Sequence, residues 1–329
     1  MNNIGIVGGA GYIGSSLALQ LSKSFTVKAL DVKPLPKDLE GKVEYEQCDI
    51  KNYNDVEQKL RDVELVIHAA IVQIPQINQA KRLGYEVNIL GTQNVCEAVH
   101  RTPSIKGMIL AGSWHVVGER ELRGVINEEF GFRPDKVEDR ARLYALCKIG
   151  QETIVRIYDE MSEKIYGVIR MGTALGRGMP EKTAASLFIT NALKGKPLTP
   201  FKHSMHRPML YVDVNDVCKA FEVYANKILR GEIRKGENSL LHVVNFCWPK
   251  PITILELAEM IRDATIRHSK GKIKPKIEII DQGLPTLFTE KDKDVIKVDM
   301  TKAKQFFGIK RMTNPKETIR KLVQDFNDS

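Results

Sequence analysis

"NIGIVGGAGYIGSSLALQL", residues 3–21, joins an apolar run to an amphipathic one through a turn that holds Gly8, Gly11 and Gly14. By themselves the glycines fit either a tight turn or a cradle for phosphate. Their surroundings choose between the two. β-Rich runs at Ile4–Val7, Thr26–Asp31, Val43–Cys48, Leu65–Ala69, Gly107–Ala111 and Ile165–Arg170 alternate with helical spacing over Tyr12–Ser22, Tyr53–Arg61, Arg82–His100 and Arg142–Met161. Such alternation implies parallel strands joined by right-handed crossovers, and so predicts an α/β fold with a doubly wound parallel sheet. The glycines then lie between the first strand and the first helix, spaced G-x-x-G-x-x-G. There the turn tolerates no Cβ, a pyrophosphate needs close backbone approach, and the helix must pack tightly on its strand. The amides of Tyr12, Ile13 and Gly14 open the helix, where its dipole favours negative charge. Asp31 closes the second strand, placed to accept both ribose hydroxyls of NAD and to repel the 2′-phosphate of NADP.

After residue 170 the rhythm changes. Helical pieces (Ala184–Lys194, Val214–Ala225, Ile254–Arg267, Asn314–Phe326) alternate with Pro-containing loops and short strands (Met209–Val212, Leu241–Asn245, Lys276–Ile280). The expected organisation is a dinucleotide-binding domain over 1–170, to which 209–247 returns, and a smaller α/β lobe over 171–329.

Bulk properties narrow the function. The chain has 329 residues, 28% of them charged and 43% apolar, and no apolar stretch approaches the roughly 20 residues of a membrane span. The five cysteines are odd in number and form no CxxC pair, which favours reduced thiols over a disulfide frame or a zinc site. No metal is expected. The opening "MNNIGIVGG" has no charged n-region, and with the thiols this gives a cytoplasmic expectation. The net charge of +9 suits an anionic partner, but the excess is spread, with a modest concentration at "RHSKGKIKPK" (267–276). Without Arg/aromatic interleaving it reads as a solvated surface, so neither nucleic acid nor a membrane is an expected partner.

Two further stretches carry chemistry. In "YALCK", Tyr144 and Lys148 share one helix face, and a nearby ammonium stabilises phenolate, so Lys148 is expected to lower the Tyr144 pKa. In "LAGSWHVVG", Ser113 follows an apolar strand, at the end where ligands bind in parallel sheets. Each alone is equally an ordinary surface or loop residue.

Together with "GGAGYIG", "CDI", "VIHAA", "NILGTQNV", "GSWHVVG", "YALCKIGQE", "IRMGTALGRG", "ALKGKPL", "HRPMLYVDVNDV" and "VDMTKAKQFFGI", in this order, the chain resembles the extended short-chain dehydrogenase/reductase family. More narrowly, it is similar to the NAD-dependent nucleotide-sugar epimerases and dehydratases of the UDP-glucose 4-epimerase kind. The resemblance implies a Rossmann-like sheet, NAD as cofactor, a nucleotide-diphosphate sugar as small-molecule partner, and a homodimer through helices such as Arg82–His100 and Arg142–Met161. It assigns Ser113, Tyr144 and Lys148 as the catalytic trio, with Lys148 also on the nicotinamide ribose. Asp49 and Ile50 would flank the adenine, Ala69 and Ala70 would line the cofactor cleft, and Asn88 would support the site. Thr173 and Arg207 would lie near the substrate diphosphate, with Ser113 on the sugar. The implied reaction is 4-epimerisation of a UDP-sugar through a transient 4-keto intermediate. Net hydride transfer by a dehydrogenase of the same fold is the alternative, and a non-catalytic RNA-binding protein is the alternative of another class.

Some positions depart from the family pattern. Trp114 and His115 follow Ser113 where dehydratases and decarboxylases carry an acid, which argues against those reactions. His115 is either a substitute acid/base or a packed loop histidine. Val117 and Thr173 stand where a Tyr and an Asn are usual. "FKHSMH" replaces a Gly-rich segment before Arg207, which falls two residues early against the later "NDV".

Overall fold

A computed structural model describes residues 2–325. Seven strands form one parallel sheet: β1 (Asn3–Val7), β2 (Thr26–Asp31), β3 (Glu44–Gln47), β4 (Leu65–His68), β5 (Gly107–Ser113), β6 (Ile165–Met171) and β7 (Val243–Phe246). Their order is β7-β6-β5-β4-β1-β2-β3, so the winding reverses between β1 and β4. The side-chain period of two splits the buried residues between two faces. Ile4, Ile6 and Ile67 pack with Leu17 and Leu21 of helix α1 (Tyr12–Leu21). Val7, Leu30 and Val66 pack on the other face, with Val56 of α2 (Tyr53–Lys59) and Val95 and Val99 of α3 (Thr92–Arg101). The long helix α4 (Asp139–Met161) packs beside α3 and against β5 and β6. Each such Leu, Ile or Val, fully buried, contributes about 1.5–3 kcal/mol.

Further helices include α5 (Ala184–Leu193), α6 (Val214–Leu229), α7 (Ile254–His268) and α8 (Pro315–Asp325). Helix α6 packs beside α1 on the sheet, whereas α5, α7 and α8 pack on one another. The expected Phe326 end of α8 lies outside the described residues.

Three expectations are corrected. The stretch Arg82–His100 is not one regular helix: Lys81–Tyr85 is α-helical, Glu86–Gly91 is a π turn, and α3 follows. The widened turn aims Asn88 at the main chain of Val72, whose N–H it accepts at 2.7 Å and whose carbonyl it meets at 3.2 Å. Met209–Val212 splits into Pro208–Met209, antiparallel to Ile252–Thr253, and Tyr211–Asp213, parallel to Thr173–Leu175. The Leu210 carbonyl between them accepts the Thr173 N–H at 2.7 Å. Lys276–Ile280 forms no strand, only isolated bridges to Leu198 and Phe201, because Pro200 between these has no N–H to extend a ladder.

All five cysteines are buried and free. Among the described residues no helix is long and apolar enough to cross a membrane, and no cluster of His, Cys, Asp or Glu is grouped to hold a metal ion.

Candidate active site

A cavity of about 930 Å³ opens over the carboxyl ends of the strands, at the point where the winding reverses. Its floor is the glycine turn. Gly8 has φ +84°, and a Cβ there would come within 2.4 Å of the Ala70 nitrogen. A Cβ on Gly14 would meet the Gly8 carbonyl oxygen at 2.0 Å, so α1 could not approach its strand. Gly11 is the N-cap of α1 and contributes no side chain, leaving the first amides of the helix open to the cavity with Tyr12 and Ile13. Asp31 stands at the rim, one carboxylate oxygen accepting the Ala10 N–H at 3.0 Å and the other the Lys33 N–H at 3.0 Å. The carboxylate thereby braces the turn and keeps lone pairs free for further donors.

Asp49, Ala69 and Ala70 line the same cavity. Ile50 does not. Its side chain is buried against Gly91. Asn88 is fully buried behind the wall and acts through Val72.

Ser113, Tyr144 and Lys148 converge on this cavity from β5 and α4. The Ser113 hydroxyl stands beside the Tyr144 phenol. Burial pushes the phenol up to about 12, with Ser113 acting in the opposite direction. The Lys148 Nζ donates to the Ala111 carbonyl at 2.7 Å, and burial brings its ammonium down to about 7. The expected lowering of the phenol by Lys148 is therefore corrected. The two residues share a helix face, but the ammonium is engaged by a backbone oxygen, and the phenol's shift is caused by burial, Ser113 and Cys147.

Beyond the trio the cavity runs between Thr173, α5 and Phe201. Thr173 accepts the Trp114 indole N–H at 3.3 Å. Arg207 reaches the cavity as expected, but is buried in an ion pair with Glu138, whose carboxylate also accepts from Arg140 at 2.8 Å. Its Nε has no hydrogen-bond partner among the described residues. Glu138, which immediately precedes α4, is a pocket residue that sequence reading missed, because only the return of the chain at 207 brings a cation to it. His115 and Glu119, four residues apart, were missed as a pair because a 3-10 turn and not a helix carries the chain between them.

Residues 4–235 match the model of the NAD dependent epimerase/dehydratase family. The chain belongs to that family. NAD is accordingly its cofactor, and the residues fit it: a cradle that any Cβ would fill, open amides at the start of α1 and a carboxylate at the rim. This family member is similar to UDP-glucuronic acid decarboxylase 1 of Danio rerio, 24% identical over 98% of this chain and 72% of that protein. It is 35% identical to short-chain dehydrogenase/reductase family 42E member 1 of Danio rerio, over 37% of this chain and only 32% of that protein. Its fold matches a UDP-glucose 4-epimerase with UDP-glucose from Thermotoga maritima, with a TM-score of 0.75 over 99% of both chains at 19% identity. At that identity the likeness concerns the fold alone.

Proposed function

We propose that this family member is a 4-epimerase of a UDP-sugar, working through a transient 4-keto intermediate. The observation that carries the reading is the convergence of Ser113, Tyr144 and Lys148 beside the glycine cradle, in one cavity that continues toward Arg207. NAD⁺, when bound, would supply the hydride acceptor. Tyr144 takes the proton of the sugar hydroxyl and gives it back after the ketone has turned over. Ser113 hydrogen-bonds the reacting oxygen, Lys148 holds the nicotinamide ribose, and Arg207 and Thr173 serve the diphosphate. Residues 1–170 with 209–247 form the cofactor domain in this reading, and the rest of 171–329 the sugar-nucleotide lobe.

The carboxylates near the site support isomerisation over elimination or loss of CO₂. Glu138 is tied to two arginines, and Glu119 is buried behind His115, so neither stands free beside Ser113. Decarboxylation of a UDP-uronic acid is the second reading, favoured by the likeness to the zebrafish decarboxylase along nearly the whole chain. We place the enzyme in the cytoplasm as a homodimer. Exposed Leu146, Ile157 and Met161 lie along one stripe of α4, with exposed Tyr85 and Leu90 on the neighbouring helical segment, an apolar face suited to a second copy.

The test is incubation of the NAD-loaded protein with UDP-glucose, UDP-galactose and UDP-glucuronic acid, followed by product mass and stereochemistry. An epimer of unchanged mass is expected. A product lighter by CO₂ would replace the first reading with the second, and accumulation of free NADH would replace both with net oxidation.

A further inference from the structure

Exposed apolar side chains gather in a second place besides α4 and the helical segment next to it. Leu187, Phe201, Ile279, Ile280, Leu284 and Leu287 all stand in water. Leu187 and Phe201 line the cavity, as does Gln282, which lies between Ile280 and Leu284 in the chain. Two segments build this ridge, 198–203 and 276–287, running side by side. The Lys276 carbonyl accepts the Leu198 N–H at 2.8 Å, the Pro200 carbonyl the Ile280 N–H at 3.0 Å, and the His203 carbonyl the Leu287 N–H at 2.9 Å. Every residue of 278–287 is exposed, Leu284 by 54%, so the ridge stands clear of the core. A contiguous apolar surface of this kind at the rim of a cavity marks an interaction site.

Positive charge flanks the ridge. The loop after α5 carries Lys194 and Lys196, and the loop after α7 carries Lys270, Lys272, Lys274 and Lys276. The fold sets these loops against each other. A Cβ on Gly195 would meet the Ile273 side chain at 4.0 Å, and the bond from Leu198 to Lys276 follows directly. All six lysines are exposed. Among the described residues the ridge makes one ion pair, Lys202 with Asp281 at 2.8 Å, and the six lysines make none. In the linear sequence the charge excess is spread, with one modest basic stretch at 267–276. Folding adds Lys194 and Lys196 to that stretch and lays an apolar ridge beside both.

Few occupants suit such a surface. A second copy meeting it about a two-fold axis would set lysine against lysine, an arrangement that repels. A nucleic acid answers the lysines but not the aliphatic side chains, since its bases stack on aromatic and guanidinium planes. A bilayer containing anionic lipids answers both: headgroups take the ammonium ions, and the acyl boundary takes the aliphatic side chains. We propose that the ridge formed by 198–203 and 276–287, with its flanking lysines, docks this protein on the surface of an anionic membrane. Docking brings the part of the cavity rim formed by Leu187 and Phe201 up to the headgroup layer. The association is peripheral, because no helix among the described residues is long and apolar enough to cross a membrane. It replaces the expectation from sequence that a membrane is no partner, and it does not depend on which reaction the site performs.

The test is sedimentation of the full-length, NAD-loaded protein with vesicles of phosphatidylcholine, with and without phosphatidylserine, at low and high salt. The protein is expected to sediment with the phosphatidylserine vesicles at low salt, to be released by high salt, and to ignore phosphatidylcholine alone. Lys272→Gln, Lys274→Gln and Lys276→Gln combined should weaken binding roughly 10²-fold. Leu284→Ser with Leu287→Ser should weaken it roughly 10-fold. All five positions are exposed, and unchanged NAD affinity checks that these variants are folded. A control of equal net charge, Lys37→Gln, Lys42→Gln and Lys316→Gln, removes exposed lysines elsewhere and should bind as the parent does. Native protein that ignores phosphatidylserine overturns the proposal. An equal loss in the control also overturns it, by reducing the effect to net charge, as does full binding by the leucine variant. Retention on poly-uridylate RNA through the same lysines, without vesicle binding, would give this face to nucleic acid instead.

Discussion

Tyr144→Phe removes one oxygen from a side chain otherwise held by packing. It is expected to leave the fold and NAD affinity intact while slowing reduction of bound NAD⁺ by roughly 10²–10⁴-fold, read at the nicotinamide absorbance in single turnover. Lys148 offers a prediction about stability. Its ammonium is held at about 7 by burial against an ordinary value of 10.5, so over that interval the unfolded chain binds a proton that the native one does not. Native stability therefore carries a cost that is complete below about 7 and vanishes as pH rises past 10.5. Denaturant titrations should find Lys148→Met gaining on the parent at the acid end and losing that gain toward the alkaline end. At the Arg207–Glu138 pair, the substrate phosphate of the proposed reaction would compete with the Glu138 carboxylate for one guanidinium. Glu138→Gln should tighten UDP binding and Arg207→Ala should weaken it by about 1.5–3 kcal/mol by calorimetry, the scale of a charge-assisted hydrogen bond. Equal and unchanged affinities would remove Arg207 from the diphosphate.

Among the elements, strands and helices that carry their own periodicity are legible in the sequence alone: β2 runs over Thr26–Asp31 as expected, and α1 begins at Tyr12 as expected. The glycine cradle is legible because its demands are local. The π turn at Glu86–Gly91 is not, since a period of 3.6 continues through it in the sequence and only the main chain of Val72, far along the chain, gives Asn88 a reason to widen the turn. Asn88→Ala deletes both hydrogen bonds to Val72 and should cost about 1–3 kcal/mol in urea unfolding, with a regular helix the expected replacement. The convergence of Ser113, Tyr144 and Lys148 on one cavity is legible from spacing and family likeness. The Glu138–Arg207 pair is not, because the second partner arrives 69 residues along the chain by a path no short window encodes. For Ile50, motif position is a poor guide to exposure: the residue sits where expected in the chain, with its side chain turned into the core.

At the scale of the molecule, an ion pair ties the sheet to its longest helix. Arg170 of β6 and Glu152 of α4 are both fully buried and meet through both carboxylate oxygens, with the Glu128 carbonyl accepting from the same guanidinium at 2.9 Å. Arg170→Met alone strands the carboxylate and should cost about 3–5 kcal/mol by thermal or denaturant unfolding. Arg170→Met combined with Glu152→Leu should recover most of that loss, and a double variant as unstable as the single one would show that packing, not charge, governs the position. The five free cysteines have a consequence of another kind. They sit at the end of β3, within α3, α4 and α6, and just after β7, so they sample both faces of the sheet. Burial holds Cys48, Cys218 and Cys247 up at about 12 and raises the other two as well, which leaves almost no thiolate at neutral pH. Each thiol is thus a silent clock that starts only when its own part of the chain opens. Alkylation followed by peptide mapping would time those openings one by one, and Cys147, next to the lysine of the site, would report in seconds or hours how firmly a bound cofactor keeps that helix shut.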